Sequence, residues 1–106
     1  MNLISNLTDL VKEEFIVFKK LDEIQDINGL SEADLFLYYF CKRYFVYPSI
    51  KILINSNKYY FTIETKQFTW ESHELSDSYL EALEKCINTC NSILNETIKK
   101  LNGNKK

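Results

Sequence analysis

The sequence predicts a single α+β domain: two N-terminal helices, a three-stranded antiparallel β-meander and a long C-terminal amphipathic helix (ααβββα). Three observations predict it. Apolar residues recur every three to four positions towards both ends of the chain, as on the buried face of a helix. Between residues 49 and 70 the period changes to two, which is typical of half-buried strands. No repeat or linker divides the 106 residues, so residues 1–106 fit one core, with 102–106 as a frayed tail.

The first predicted helix extends from about Leu3 to Leu21. Its apolar stripe consists of Ile4, Leu7, Val11, Phe15 and Phe18, widened by Leu10 and Leu21. The run at 15–18 is also compatible with a short strand, but good helix formers flank it and no turn residue interrupts it. Residues 22–29 predict a polar connection to the next helix.

The second predicted helix runs from Glu32 to about Phe45 and is rich in aromatic residues. Ser31 fits an N-cap, and Asp34 occupies the acidic position of a capping box three residues later. The helix must end before Pro48, whose ring disfavours helical geometry at the preceding residue. Apolar side chains surround the helix almost completely, so it either forms the centre of the core or exposes an aromatic face to a partner.

Three strands joined by short turns are predicted next. In the first, half-buried strand Ile50, Ile52 and Ile54 alternate with Ser49, Lys51 and Leu53. Tyr59, Phe61 and Ile63 form the inward row of the second strand, and the third strand carries Phe68 and Trp70. Residues 55–57 (Asn-Ser-Asn) predict the first turn, because short polar side chains bond their own backbone and Asn tolerates the left-handed conformation. A second turn is expected near 65–67. Short turns connect neighbouring strands directly, which favours an antiparallel meander.

The last helix is the clearest element of the sequence. Asp77 or Ser78 caps it, and Glu81 completes a capping box with Ser78. Its apolar stripe consists of Leu80, Leu83, Ile87, Cys90, Leu94, Thr97 and Leu101, reinforced by Cys86, Ile93 and Ile98. Asn102 and Gly103 form a stop signal, and the two lysines before them complement the helix dipole.

Composition is that of an ordinary soluble globular protein, with 45% hydrophobic and 26% charged residues. The net charge of −2 does not by itself imply a nucleic-acid or membrane partner. No stretch approaches the roughly 20 apolar residues of a membrane span, and the N-terminal residues lack the basic region of a signal peptide. Three cysteines without an export signal predict reduced thiols in a cytoplasmic protein.

Catalytic signatures are absent from the sequence, so no catalytic residue, cofactor or metal is predicted. The single histidine, His73, would have to serve any Cys-His or Ser-His chemistry, and a solvated loop is its expected place. Cys86 and Cys90 share a helix face and could form half a zinc site with Cys41 and His73. Their positions within the buried stripe favour core packing instead.

Two segments could bind a macromolecule. The first combines aromatic anchors with acidic residues, which suits docking onto a basic protein surface; it comprises Phe68, Trp70, Glu71, Glu74, Asp77, Tyr79, Glu81 and Glu84. The alternative is a nucleic-acid surface on the second helix, helped by the C-terminal lysines; it comprises Lys42, Arg43, Tyr44 and Tyr47. For both segments, the competing interpretation is an ordinary core or solvated face.

The leading prediction is a small non-enzymatic protein that binds another protein, as accessory or inhibitor-type proteins do. Abundant Lys, Asn and Ile fit an AT-rich genome, and with the small size they suggest a phage or mobile element. A host nuclease or defence complex would then be the target. The chain has seven Phe, seven Tyr and one Trp, more rings than a small core readily buries, which predicts a homodimer.

Overall fold

The computed structural model of the chain describes residues 6–20, 31–72 and 74–103. Its helices are α1 (Asp9–Lys19), a continuous helical run that we call α2 (Glu32–Asp34, Leu35–Phe40 and Cys41–Tyr44), and α3 (Tyr79–Gly103). Its strands are β1 (Tyr47–Leu53), β2 (Lys58–Glu64) and β3 (Thr69–Glu71). The order confirms the α+β class. Predictions for Leu3, Ile4, Leu21 and His73, for the connection at 22–29 and for residues 104–106 lie outside the described residues.

The sheet is the predicted antiparallel meander, in the order β1-β2-β3. Asn57 closes the first turn in the left-handed region, at φ 54°, as its side chain allows. The second turn is closed by Thr65, whose Oγ1 accepts hydrogen bonds from the backbone N–H groups of Gln67 (3.2 Å) and Phe68 (3.0 Å). Both turns lie where short polar side chains predicted them.

The core lies between one face of the sheet and the helices. Helix α3 contacts α1, β1, β2 and the C-terminal part of α2, so it is the element around which the others assemble. Phe15 of α1 packs edge-on against Phe36 and Phe40 of α2, with ring centroids 5.4 and 5.3 Å apart. The predicted stripe is buried at Leu7, Val11, Phe15 and Phe18. The helix itself begins only at Asp9, so the predicted start near Leu3 is too early and Leu7 is buried from the segment that precedes α1. None of the described helices is long and apolar enough to cross a membrane.

The predicted alternation of β1 is wrong at one end. Ile50 packs against the core, but Ile52 is half-exposed and Ile54, at 82% exposed, lies in the turn beyond the strand. The strand instead begins at Tyr47 and includes Pro48, which is tolerated because β1 is an edge strand. Alternation alone does not show where along a strand the core ends.

The predicted stripe of α3 is correct in the middle and wrong at both ends. Leu83, Ile87 and Leu94 are buried, whereas Leu80 is 61% exposed and Leu101 is half-exposed. A helix of 25 residues is about 37 Å long, whereas a strand of seven residues spans only about 23 Å. The helix is therefore longer than the part of it that the core covers. Its last described residue is Gly103, within the predicted stop signal.

The second helix forms where predicted but is not α-helical throughout. Leu35–Phe40 is a π-helical segment and Cys41–Tyr44 a 3₁₀ turn. The Ser31 cap is confirmed, since its Oγ accepts a hydrogen bond from the Asp34 N–H at 3.1 Å. The run ends at Phe45, which lies in the left-handed region (φ 60°, ψ 39°).

The start of α3 is capped as predicted, with one difference. Ser78 Oγ accepts a hydrogen bond from the Glu81 N–H (3.2 Å), but Glu81 Oε2 accepts from the N–H of Asp77 (3.3 Å) rather than from Ser78. Both Asp77 and Ser78 therefore take part in the cap.

Two asparagines of α3 fasten the beginning of α1. Asn91 Oδ1 and Asn95 Oδ1 accept hydrogen bonds from the backbone N–H groups of Thr8 and Val11, each at 3.1 Å. Both side-chain amides also donate to Thr8 Oγ1. Thr8 makes no cap bond with its own side chain, so α3 supplies the acceptors that the first turn of α1 needs.

Candidate functional site

The predicted acidic-aromatic segment does not form one surface. Trp70 is partly buried and stacks on Phe61, with ring centroids 5.1 Å apart. Phe68 lies in the β2–β3 turn, beside the C-terminal turns of α3. Tyr79 lies at the opposite end of that helix, beside Tyr59. The three aromatic anchors thus occupy three separate places.

Several acids of this segment are neutralised within the chain. Asp77 forms an ion pair with Lys58, whose hydrogen bond holds the pKa of the Asp77 carboxyl below its ordinary value. Lys85 pairs with Glu81 at 3.2 Å and with Glu74 at 3.6 Å, and the hydrogen bond that it donates to Glu81 is the main cause of its raised pKa. Glu71 is exposed on the outer face of β3 and Glu84 is partly buried on α3. The acidic rim is therefore weaker than the sequence suggested.

A cluster of tyrosines occupies the end of the molecule where the β1–β2 hairpin meets the start of α3. We define Tyr38, Tyr59, Tyr79 and Ile52 as the tyrosine patch. Tyr59 and Tyr79 pack edge-on, with centroids 6.1 Å apart, and Tyr59 stands opposite Ile52 across the hairpin. Tyr38 and Tyr79 are each 44% exposed, and Ile52 is exposed to a similar extent. Side chains from α2, the hairpin and α3 thus form one half-exposed surface.

The hydroxyls of Tyr38 and Tyr79 are held neutral. Partial burial is the main cause of the raised pKa of Tyr38, and Tyr79 and Asp34 raise it further. Burial and then Asp34 likewise raise the pKa of Tyr79. Neutral tyrosines offer an apolar ring and a hydrogen-bonding hydroxyl together, a combination that is common in protein interfaces.

A cleft lies at the other end of α3, between the β2–β3 turn, the end of α2 and the last turns of α3. We call it the turn-end cleft. It has a volume of about 380 Å³ and is lined by Tyr44, Phe45, Val46, Thr65, Lys66, Gln67, Phe68, Ile93, Thr97, Lys100 and Leu101. The ammonium of Lys66 lies 3.6 Å from the centroid of the Phe45 ring. The cleft therefore combines aromatic rings with cations.

The four residues of the predicted nucleic-acid surface are dispersed. Tyr44 lines the turn-end cleft, but the guanidinium of Arg43 lies 5.3 Å from the ring centroid of Phe18, on the α1 side. Lys42 is exposed on α2, and Tyr47 is exposed at the start of β1. Among the C-terminal lysines, Lys100 reaches the cleft.

Lys66 and Phe45, the cation and the ring that meet in the turn-end cleft, were not predicted as site residues. Lys66 lies in a turn, where a lysine is unremarkable from sequence. Phe45 could have been noticed in the sequence. It is a bulky residue at the predicted end of the second helix, a position where glycine is common. In the structure, Phe45 has the positive φ that glycine adopts readily.

The three thiols meet in the core. Cys41, Cys86 and Cys90 are fully buried. Hydrogen bonding to Cys90 and burial raise the pKa of Cys86 far above its ordinary value, and a hydrogen bond to Cys41 is the main cause of the raised pKa of Cys90. Thiolates bind metals and act as nucleophiles, so thiols held neutral fit the predicted packing role. The described residues contain no group that could hold a metal ion, and His73 lies outside them.

Comparisons with known proteins found no match. Neither a protein-family model, nor a curated protein, nor a solved structure matches the chain. Its function is therefore inferred from its own residues.

Proposed function

We propose that this chain is a non-enzymatic binding protein that docks onto another protein through the tyrosine patch. One observation carries the proposal: three tyrosines from three different elements converge on one half-exposed surface, with the hairpin residue Ile52 beside them. Tyrosine is enriched among the residues that dominate protein interfaces, since it presents a large ring with few rotatable bonds.

The local backbone also supports a binding role. Tyr38 belongs to the π-helical segment Leu35–Phe40, in which Phe36, Leu37 and Phe40 are buried. π-Helical turns are rare and occur frequently at functional sites. Here the segment buries three large side chains and leaves Tyr38 half-exposed, within electrostatic range of Tyr79.

The charge around the tyrosine patch suggests the chemistry of the partner. Asp34 is half-buried and acts on both Tyr38 and Tyr79, and no ion pair among residues 6–20, 31–72 and 74–103 involves it. Lys58 and Lys85 are already paired. We therefore expect an apolar partner surface that carries a lysine or arginine opposite Asp34, because opposite charges favour docking and fix its register.

The biological setting that we propose is that of an accessory or inhibitor-type protein in the cytoplasm, encoded by a phage or mobile element. The small size and the Lys-, Asn- and Ile-rich composition support this setting. A host nuclease or defence complex fits as target, since many such complexes present basic surfaces to nucleic acid. A second copy of the chain is the competing occupant of the tyrosine patch.

A paired capture experiment tests the proposal. Tagged wild type, Tyr38→Ser/Tyr79→Ser and the control Ile16→Ser/Val17→Ser, which alters two exposed residues of α1, are incubated with lysate of the source organism. The wild type and control should recover one stoichiometric protein that the tyrosine variant loses. With that protein purified, the tyrosine variant should bind at least about tenfold more weakly, because central tyrosines often contribute most of the interface energy.

Two outcomes would overturn the proposal. The first is capture that is equally strong for the tyrosine variant, with all three proteins folded by circular dichroism. The second is light scattering that shows a wild-type dimer dissociated by Tyr38→Ser/Tyr79→Ser, which would assign the tyrosine patch to a second copy.

A further inference from the structure

We propose that the turn-end cleft binds a nucleotide unit, that is, a flat nucleobase attached to a phosphate. The site lies at the opposite end of α3 from the tyrosine patch. From Tyr79 to Lys100 the helix rises about 31 Å, so one ligand of this size does not contact both places. The inference is therefore independent of the proposed function.

The lining of the cleft suits a flat anion. Tyr44, Phe45 and Phe68 contribute rings, Lys66 and Lys100 contribute cations, and no carboxylate is found among the described lining residues. Proteins that hold unpaired nucleotides stack bases on aromatic rings and place cations beside the phosphates. A volume of about 380 Å³ falls within the range of small-ligand sites.

One cation of the cleft is already placed against a ring. Lys66 Nζ lies 3.6 Å from the centroid of the Phe45 ring, a cation–π contact in which the ring supplies no negative counter-charge. No ion pair within the described parts of the chain involves Lys66 or Lys100. A phosphate that approaches the cleft would meet cations whose charge is not already neutralised by a carboxylate.

The backbone at Phe45 supplies a second, independent observation. Its φ of 60° and ψ of 39° lie in the left-handed region, which a bulky residue avoids and which glycine or asparagine adopts readily. Core packing does not explain the choice of Phe, because the side chain is 47% exposed. Unfavourable backbone conformations cluster at binding sites, where the side chain is needed. A ring that stacks on a base in the cleft accounts for both the left-handed backbone of Phe45 and the exposure of its side chain.

The same chemistry is presented by a free nucleotide and by one residue of a single-stranded nucleic acid. The experiment therefore uses two probes, adenosine monophosphate and a fluorescently labelled oligothymidylate, each titrated into the full chain at low and at high salt. Binding of either probe, weakened by salt, is expected. If both bind equally well, the ligand is a free nucleotide; if the oligonucleotide binds about tenfold tighter or more, it is a single strand.

Two cleft variants and a matched control locate the site. Phe45→Asn removes the ring and suits the left-handed backbone, and Lys66→Gln removes the cation; Lys51→Gln removes a lysine exposed on β1, outside the cleft lining. Each cleft variant should weaken binding by about tenfold or more, which is the usual effect of losing one stacking ring. The control should bind like wild type, and so should Tyr38→Ser/Tyr79→Ser.

A stability measurement on Phe45→Asn distinguishes loss of binding from unfolding. Because the substitution relieves the left-handed strain, its urea midpoint should stay at or above that of wild type, so lost binding would not reflect unfolding. The proposal fails if neither probe binds at millimolar concentration. It also fails if Lys51→Gln weakens binding as much as Lys66→Gln, which would indicate a diffuse electrostatic attraction.

Discussion

The two ends of α3 differ in how their charges and rings are used. At the hairpin end, the acids near the start of the helix pair with Lys58 and Lys85, and tyrosine rings pack against one another. At the turn end, Lys66 lies against a Phe ring and Lys100 lines an open cleft. One end is therefore an apolar surface whose lysines are already paired, and the other a concave surface with cations and rings.

This difference teaches that a run of like charge in the sequence is not a guide to the final surface. Residues 67–84 contain five acids and no base, yet three of those acids have lysine partners from other segments. The basic residues towards the end of the chain, by contrast, contribute Lys100 to a cleft without described carboxylates. Folding therefore pairs three acids of the acidic segment with lysines and brings Lys66 and Lys100 into one cleft.

The largest predicted effect separates rings that build the fold from rings that serve a surface. Phe40 is buried among Phe15, Phe18 and Phe36, so Phe40→Ala should lower the free energy of unfolding by about 3–5 kcal/mol. Phe68→Ala makes the same chemical change at the turn end, where the ring is half-exposed, and should lower it by less than about 1 kcal/mol. Urea denaturation measures both.

The two phenylalanine variants also test the comparison itself. If Phe68→Ala were as destabilising as Phe40→Ala, the rings of the turn-end cleft would be part of the core. They would then not be available to bind a ligand. If both were mild, the aromatic cluster around Phe40 would not be the centre of stability that its burial indicates.

Much of the fold could be predicted because local physical signals agree with it. Ser31 and Ser78 are in capping positions, Asn57 permits a left-handed turn, and periodicity identifies the buried residues in the middle of each element. Periodicity fails where an element outruns the core, as at Ile54 and Leu80. Local sequence contains no information about how far an element extends beyond the core.

The candidate sites were less predictable because they depend on contacts between distant segments. The tyrosine patch joins Tyr38, Tyr59 and Tyr79, which no spacing rule connects. The same applies to Lys66 and Phe45, whose contact requires the β2–β3 turn to approach the end of α2. The sequence singled out aromatic and charged segments, and the structure places the residues of each segment in separate regions.

A second, smaller effect tests whether the side-chain amides of α3 hold the start of α1 in place. Asn95→Ala removes the acceptor for the N–H of Val11 near the middle of α3, and should lower the free energy of unfolding by about 1–2 kcal/mol, as loss of a helix cap does. Asn88→Ala, exposed on the same helix, is the matched control and corrects for the change in helix propensity. Equal stability of the two variants would show that the amide bonds do not hold α1 to α3.

The smallest effect concerns alkaline pH and separates the hairpin end from the turn end. Tyr38 and Tyr79 have a folded-state pKa raised above the ordinary 10.0, mainly by burial. Their contribution to stability is therefore complete below pH 10 and is lost as the pH rises through the folded pKa, since the unfolded chain ionises first. Buried Cys86 and Cys90 add a loss above about pH 9 that is common to wild type and tyrosine variants.

Differences between variants isolate the tyrosines from the thiols. Tyr38→Phe/Tyr79→Phe should flatten the fall in unfolding free energy above pH 10, and Tyr44→Phe, at the turn end, should flatten it less because one raised pKa is removed instead of two. Urea denaturation from pH 8 to 11 measures the three slopes. A slope for Tyr38→Phe/Tyr79→Phe that matches wild type would mean that these hydroxyls are as solvated in the folded chain as in the unfolded one. The tyrosine patch would then lack the partial burial that gives it a defined shape for a partner.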